Sequence, residues 1–82
     1  MIIVNVRVPA LEKEYNFSLE EKAKIMDLIE EMVELISQKE HVQFGGSLDE
    51  MVLCSVENGE QCKKNNSLSD YGIVGGSELI LV

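Results

Sequence analysis

A chain of 82 residues, 45% apolar and 27% charged, has the size of one small folded domain and too thin a core for a deep substrate cavity. Its formal charge of -8 excludes a nucleic-acid or anionic-membrane surface, since both need clustered Lys and Arg and only Lys63 and Lys64 adjoin here. Acidity of this kind confers solubility, or draws in a basic partner.

At the N-terminus, Ile2, Val4, Val6 and Val8 alternate with Ile3, Asn5 and Arg7, the period of a β-strand with one buried face. The segment has no basic lead-in and no long apolar run, so it is read as neither a signal peptide nor a membrane span. Pro9-Ala10-Leu11 interrupts it. Residues 12–17 then alternate again, which predicts an antiparallel edge strand with Tyr15 and Phe17 inward.

Ser18-Leu19-Glu20-Glu21 has the form of a capping box, with Ser18 accepting from an orphan N–H and Glu21 reaching back. A helix is expected from there. Ile25, Leu28, Ile29, Met32, Leu35 and Ile36 share one face, widened by Met26 and Val33, with Lys24, Asp27, Glu31, Glu34 and Gln38 opposite. About twenty helical residues would extend about 30 Å against about 17 Å for a five-residue strand, so this helix overhangs its sheet. Val42 and Phe44 are the expected cover for the excess.

Residues 51–56 (Met-Val-Leu-Cys-Ser-Val) predict a third strand, apolar on both faces; Met51/Leu53 and Val52/Cys54 remain equal candidates for burial. Glu57-Asn58-Gly59-Glu60 carries the Asn-Gly signature of a tight turn in which both central residues take positive φ. A short fourth strand through Gln61-Cys62, a polar loop, a helical turn at Ser67-Leu68-Ser69-Asp70 and a turn at Gly75-Gly76 lead into a last strand, Glu78 to Val82. This order predicts an α+β fold, one domain over residues 1–82, with a mixed sheet of four to five strands crossed by one long helix. The first and last strands are the most apolar, which suits central, adjacent, parallel positions. That is the β-grasp topology.

The segment Ser67-Leu68-Ser69-Asp70-Tyr71-Gly72-Ile73, followed by a short turn and Glu78-Leu79-Ile80-Leu81-Val82, closely resembles the end of ubiquitin. Lys22-Ala23-Lys24-Ile25 resembles part of its helix. Leu68 and Ile73 bracket the turn and bury, and Asp70 caps it. Tyr71, by the resemblance, lays its ring on the surface and bonds a backbone group. Ubiquitin and the sulfur carriers close in a flexible Gly-Gly tail, whereas this sequence stops at Val82 with Gly75-Gly76 ahead of the last strand. Conjugation is therefore not expected, unless the chain is a carrier truncated of its tail. The stretch Leu68-Ser69-Asp70-Tyr71-Gly72-Ile73 is similar to the Leu-Ser-Asp-x-Gly-Ile of the YukD/EsaB-type ubiquitin-like proteins of type VII (ESX-like) secretion systems. That resemblance implies a cytoplasmic accessory or regulator that binds a protein and catalyses nothing.

The chemistry-bearing residues point the same way. His41, the sole histidine, has no Ser or Cys arrangement around it. Cys54 and Cys62 form no CxxC and suit a reducing compartment as small buried hydrophobes, with Lys63-Lys64 the one hint of an activating environment. The glycine pairs at 45–46 and 75–76 lack the Lys-Ser/Thr of a P-loop. Asp27, Glu30, Glu31 and Glu34 read as a solvated helix face before a cation site, because calcium ligands come from looped backbone. Neither cofactor nor metal is expected, and no direct membrane insertion. What is left is the outer face of the sheet. If Val4, Val6, Leu79 and Leu81 meet the helix, alternation sends Ile3, Ile80 and Val82 outward, joined by one apolar set from the third strand. Ubiquitin's partner-binding patch occupies the corresponding face. Ile3, Ile80 and Val82 are accordingly the candidate partner-binding residues. A self-associating homo-oligomer built on the long helix is the remaining alternative.

Overall fold

A computed structural model describes residues 1–43 and 48–82. The inward alternation of Val4, Val6 and Val8 makes β1 (Ile2–Val8), and all three are fully buried. A short 3-10 turn, Pro9–Leu11, reverses the chain through Glu12, whose φ of 55° is left-handed. The antiparallel return, β2 (Lys13–Leu19), pairs Ile2 with Leu19 and Val8 with Lys13 along its length. Tyr15, Phe17 and Leu19 point inward, and β2 is an edge strand as the pattern predicts.

The helix, α1 (Ile25–Glu40), begins well after Ser18 and has 16 residues. Ser18 lies in β2 and caps nothing; the capping-box reading is corrected. Magnitudes decide the matter. A cap contributes about 1 kcal/mol, whereas burying Leu19 as the next inward residue of the strand contributes roughly 1.5–3 kcal/mol. The helix finds its acceptors elsewhere: the N–H groups of Ile25 and Met26 donate to the carbonyls of Asn66 (2.8 Å) and Lys64 (3.0 Å). Those backbone oxygens, brought in from the far loop, satisfy donors that a side chain would otherwise serve. The expected overhang disappears with the early start. Sixteen helical residues extend about 24 Å, and the seven residues of β1 extend about 23 Å.

Ile25, Leu28, Ile29, Met32 and Ile36 form the buried face of α1. Leu35 and Met26 do not join it; each is 46% exposed. Val42 is also exposed, so it covers no helix end, and Phe44 lies outside the described residues. α1 ends at His41, left-handed at φ 57°, with Val42 N–H donating to the Ser37 carbonyl at 3.3 Å.

The third and fourth strands are short, β3 (Leu53–Ser55) and β4 (Glu60–Cys62), joined by a four-residue loop in which only Gly59 takes positive φ. The expected two-residue turn is therefore corrected. Asn58 need not leave the ordinary region because its N–H donates to Ser55 Oγ (3.2 Å) and Gly59 N–H to the Ser55 carbonyl (2.9 Å). A further 3-10 turn, Ser69–Tyr71, follows, with Leu68 and Ile73 buried on either side. Asp70 Oδ2 accepts from Ser67 N–H at 2.8 Å, and Tyr71 Oη accepts from Lys63 N–H at 2.6 Å, as the resemblance implied. The last strand, β5 (Glu78–Leu81), lies parallel to β1 and antiparallel to β3. The sheet has five strands in the order β2-β1-β5-β3-β4, with one layer of helix packed on it. This is the β-grasp arrangement.

Candidate protein-interaction face

Strand parity fixes what the sheet turns away from α1. Val4, Val6, Leu79 and Leu81 are fully buried, so Ile3, Asn5 and Arg7 of β1, Glu78 and Ile80 of β5, and Val82 just beyond β5 face outward. The third strand resolves its ambiguity the same way. Met51, Leu53 and Ser55 turn inward, which leaves Val52 and Cys54 outward and half-buried.

The register then sorts these residues into rows across the strands. Glu14, Arg7, Ile80, Cys54 and Gln61 form one row. Asn16, Asn5 and Glu78 form the next, with Val56 N–H on the Glu78 carbonyl at 3.1 Å. In the other direction Val82 meets Val52 through reciprocal backbone bonds of 3.0 and 2.7 Å. Ile80, Val82, Val52 and Cys54 therefore make one continuous apolar stripe along β5 and β3, with Val56 beside it.

Ile3 does not belong to that stripe. Asn5 sits opposite Glu78, so Ile3 falls before the start of β5, where its carbonyl accepts from Gly76 N–H at 2.8 Å. Six residue steps, about 20 Å, separate its row from that of Val82. Ile3, 62% exposed, instead borders a shallow hollow with Met1, Asn5, Asn16, Gly75 and Gly76. The expectation that Ile3, Ile80 and Val82 form one group is corrected: the structure joins Ile80 with Val82 and sets Ile3 apart. Val52, Cys54 and Val56 complete the stripe. The sequence alone leaves the first two undecided and does not mark the third. The polar Ser55 hides this parity in the sequence, because it sits on the inner side, where its hydroxyl accepts from Asn58 N–H at 3.2 Å.

The stripe's charged border is acidic. Arg7, the outward cation of β1, is matched by Glu14 across the strand pair (Nε to Oε1, 3.6 Å). Glu78 projects outward at the other end, and the Glu57 carboxylate accepts from Glu78 N–H at 3.1 and 3.2 Å. Cys62 lies on the opposite, buried side from Cys54, and burial, then Cys54 and Glu60, push its thiol up to about 11. A thiolate is disfavoured there despite the neighbouring Lys63. Gly75 and Gly76 are built into the β1–β5 junction, so a cut behind them would remove a central strand. Among the described residues, no three of His, Cys, Asp and Glu converge as a metal set. Also among them, no helix is long and apolar enough to cross a membrane.

Solved structures with this architecture are ubiquitin-like domains. One, from an Arabidopsis thaliana protein, superposes with a TM-score of 0.72 at 18% identity over 99% of this chain and 74% of that one. The N-terminal ubiquitin-like domain of the 4931431F19Rik protein gives 0.72 at 26% identity, over 99% and 72%. The UBL domain of Plasmodium falciparum Dsk2 gives 0.72 at 25%, over 99% and 95%. The fold is thus ubiquitin-like. Within that class the chain belongs to the family described as WXG100 protein secretion system (Wss), protein YukD, whose model matches residues 2–81. No curated protein matches.

Proposed function

We propose that this chain is a cytoplasmic, non-conjugated accessory or regulator of a type VII (ESX-like) secretion system, working by protein binding with no catalytic chemistry of its own. Membership of a family named for that secretion system supports the setting. The unpaired thiols of Cys54 and Cys62 suit a reducing compartment. The observation that carries the binding role is the stripe Ile80, Val82, Val52 and Cys54 on the side of the sheet opposite α1. Ile80 is already half-buried and Val82 is 50% exposed, so burying what they still expose against a partner would contribute about 1 kcal/mol or less each. The acidic border at Glu57 and Glu78 fits a partner whose apolar patch is edged by Lys or Arg, with association weakened by salt.

The test is secretion of a WXG100 protein from a host deleted for the chromosomal copy and complemented by variants. Ile80→Asp and Val82→Asp should cut export while the purified chains keep the native circular dichroism and reach native cellular levels. Leu79→Asp, one residue away and fully buried, should instead unfold the chain by burying an unpaired charge. Export at the native level with both outward variants would show this reading to be wrong.

A further inference from the structure

The long free edge of β2 carries a second surface, distinct from the outer stripe. On β1, Asn5 N–H donates to the Ser77 carbonyl (3.0 Å) and the Ile3 carbonyl accepts from Gly76 N–H (2.8 Å), so the odd-numbered residues of β1 face β5. Its even-numbered residues must then face β2, which makes Val4–Phe17 and Val6–Tyr15 the hydrogen-bonded pairs of that ladder. Glu14, Asn16 and Ser18 consequently direct their backbone N–H and C=O groups away from the sheet, and none of them has a backbone partner among the described residues. An uncovered edge seven residues long is the arrangement that invites another strand.

A groove of about 490 Å3 runs beside this edge, between β2 and α1, lined by Glu14 to Phe17, Leu35, Ile36 and Lys39. Leu35, the residue that breaks the helix's expected inner face, stands at its rim 46% exposed. The groove is held open at one end. Glu40 accepts from both Lys13 Nζ (2.8 Å) and Tyr15 Oη (2.6 Å), which fixes the last turn of α1 to the start of β2. The rim also carries a cation. The Lys39 ammonium lies 5.5 Å from the centre of the Tyr15 ring and makes no salt bridge among the described residues; its charge acts on the adjacent Glu40, which Lys13 already pairs, whereas Glu14 is matched by Arg7.

We propose that the β2–α1 groove docks an extended segment of another protein, which adds as a strand along Glu14–Ser18, sets apolar side chains against Phe17 and Leu35, and places a carboxylate at Lys39. The three features converge on one occupant: the edge requires extended backbone, the groove accepts alternate side chains, and the lone cation selects an acidic residue. A second copy of the chain fits less well, because two molecules of charge -8 repel.

The probe is a random dodecapeptide library displayed on phage and selected on the whole chain, followed by amide exchange on the complex with the leading peptide. The expected winners alternate β-branched or aromatic residues with polar ones and carry a carboxylate at one end. Their binding should slow exchange at Glu14, Asn16 and Ser18. Asn16→Pro removes one outward donor while leaving the ladder to β1 intact, as proline allows on an edge strand. Leu35→Glu alters an exposed helix residue. Each should weaken the peptide by roughly tenfold or more, the scale of one lost hydrogen bond or apolar anchor. Lys39→Glu should remove the preference for a carboxylate. No convergent winners, unchanged affinity for the two weakening variants, or protection centred on Cys54 and Ile80 would each overturn the proposal. So would a dimer of the free chain in sedimentation that Asn16→Pro abolishes, since that makes a second copy the occupant.

Discussion

At Glu40 one carboxylate binds two partners on a neighbouring strand, and the two answer to pH in different ranges. The hydrogen bond from Lys13, then that from Tyr15, hold the Glu40 carboxyl below the usual range. Burial, then the bond to Glu40 and its charge, push the Tyr15 phenol up to about 12. A carboxyl lowered by folding stabilises above its unfolded pKa, and that stability is lost as pH falls through the folded value. A phenol raised by folding works at the other limit: between about 10 and 12 the unfolded chain releases a proton that the folded chain keeps, so stability falls as pH rises. Urea titrations across pH should show both limbs. Glu40→Gln should flatten part of the acid one, which Glu21 shares because a backbone hydrogen bond holds its carboxyl below the usual range, and Tyr15→Phe should flatten part of the alkaline one. The remaining alkaline slope belongs to Cys62, whose thiol is raised to about 11 and acts with the same sign. None of this was legible beforehand, because Lys13, Tyr15 and Glu40 meet only once β2 and α1 are packed together.

The elements were largely readable where periodicity carries the information, and misread where a distant segment decides. Tyr15 and Phe17 announce β2 by alternation, and Ile25 to Ile36 announce α1 by helical spacing. The helix start was not readable, because its acceptors are carbonyls about forty positions away in the chain, at Lys64 and Asn66, and backbone carbonyls leave no mark in composition. Ser18→Ala should accordingly cost less than about 0.5 kcal/mol by urea titration, the range of an ordinary surface change, against about 1 kcal/mol for loss of a true cap. The other end of α1 is strained by a non-glycine residue. His41 sits at φ 57°, where a Cβ is disfavoured. His41→Gly should therefore raise stability by roughly 0.5–1 kcal/mol, since glycine is the usual residue at such a helix stop.

At the scale of the molecule, the central parallel pair was legible from the apolar character of the first and last strands, and so was the inward set Val4, Val6, Leu79 and Leu81. The stagger between the strands was not. Alternation tells which face a residue takes, but only the ladder places Asn5 opposite Glu78, and it is this offset that parts Ile3 from Ile80 and Val82. The same ladder has a mechanical meaning. Tension applied at Ile2 and Leu81 draws β1 and β5 in opposite directions along their common axis, so their hydrogen bonds are loaded together in shear. Tension applied across the β3–β4 loop opens that pair one bond at a time. A single molecule held by Ile2 and Leu81 should therefore yield at a distinctly higher force than one held by Leu53 and Cys62, and equal forces would refute the parallel register. An arrangement that keeps its two terminal strands side by side resists being drawn out by its ends, and gives way first at the short β4 edge.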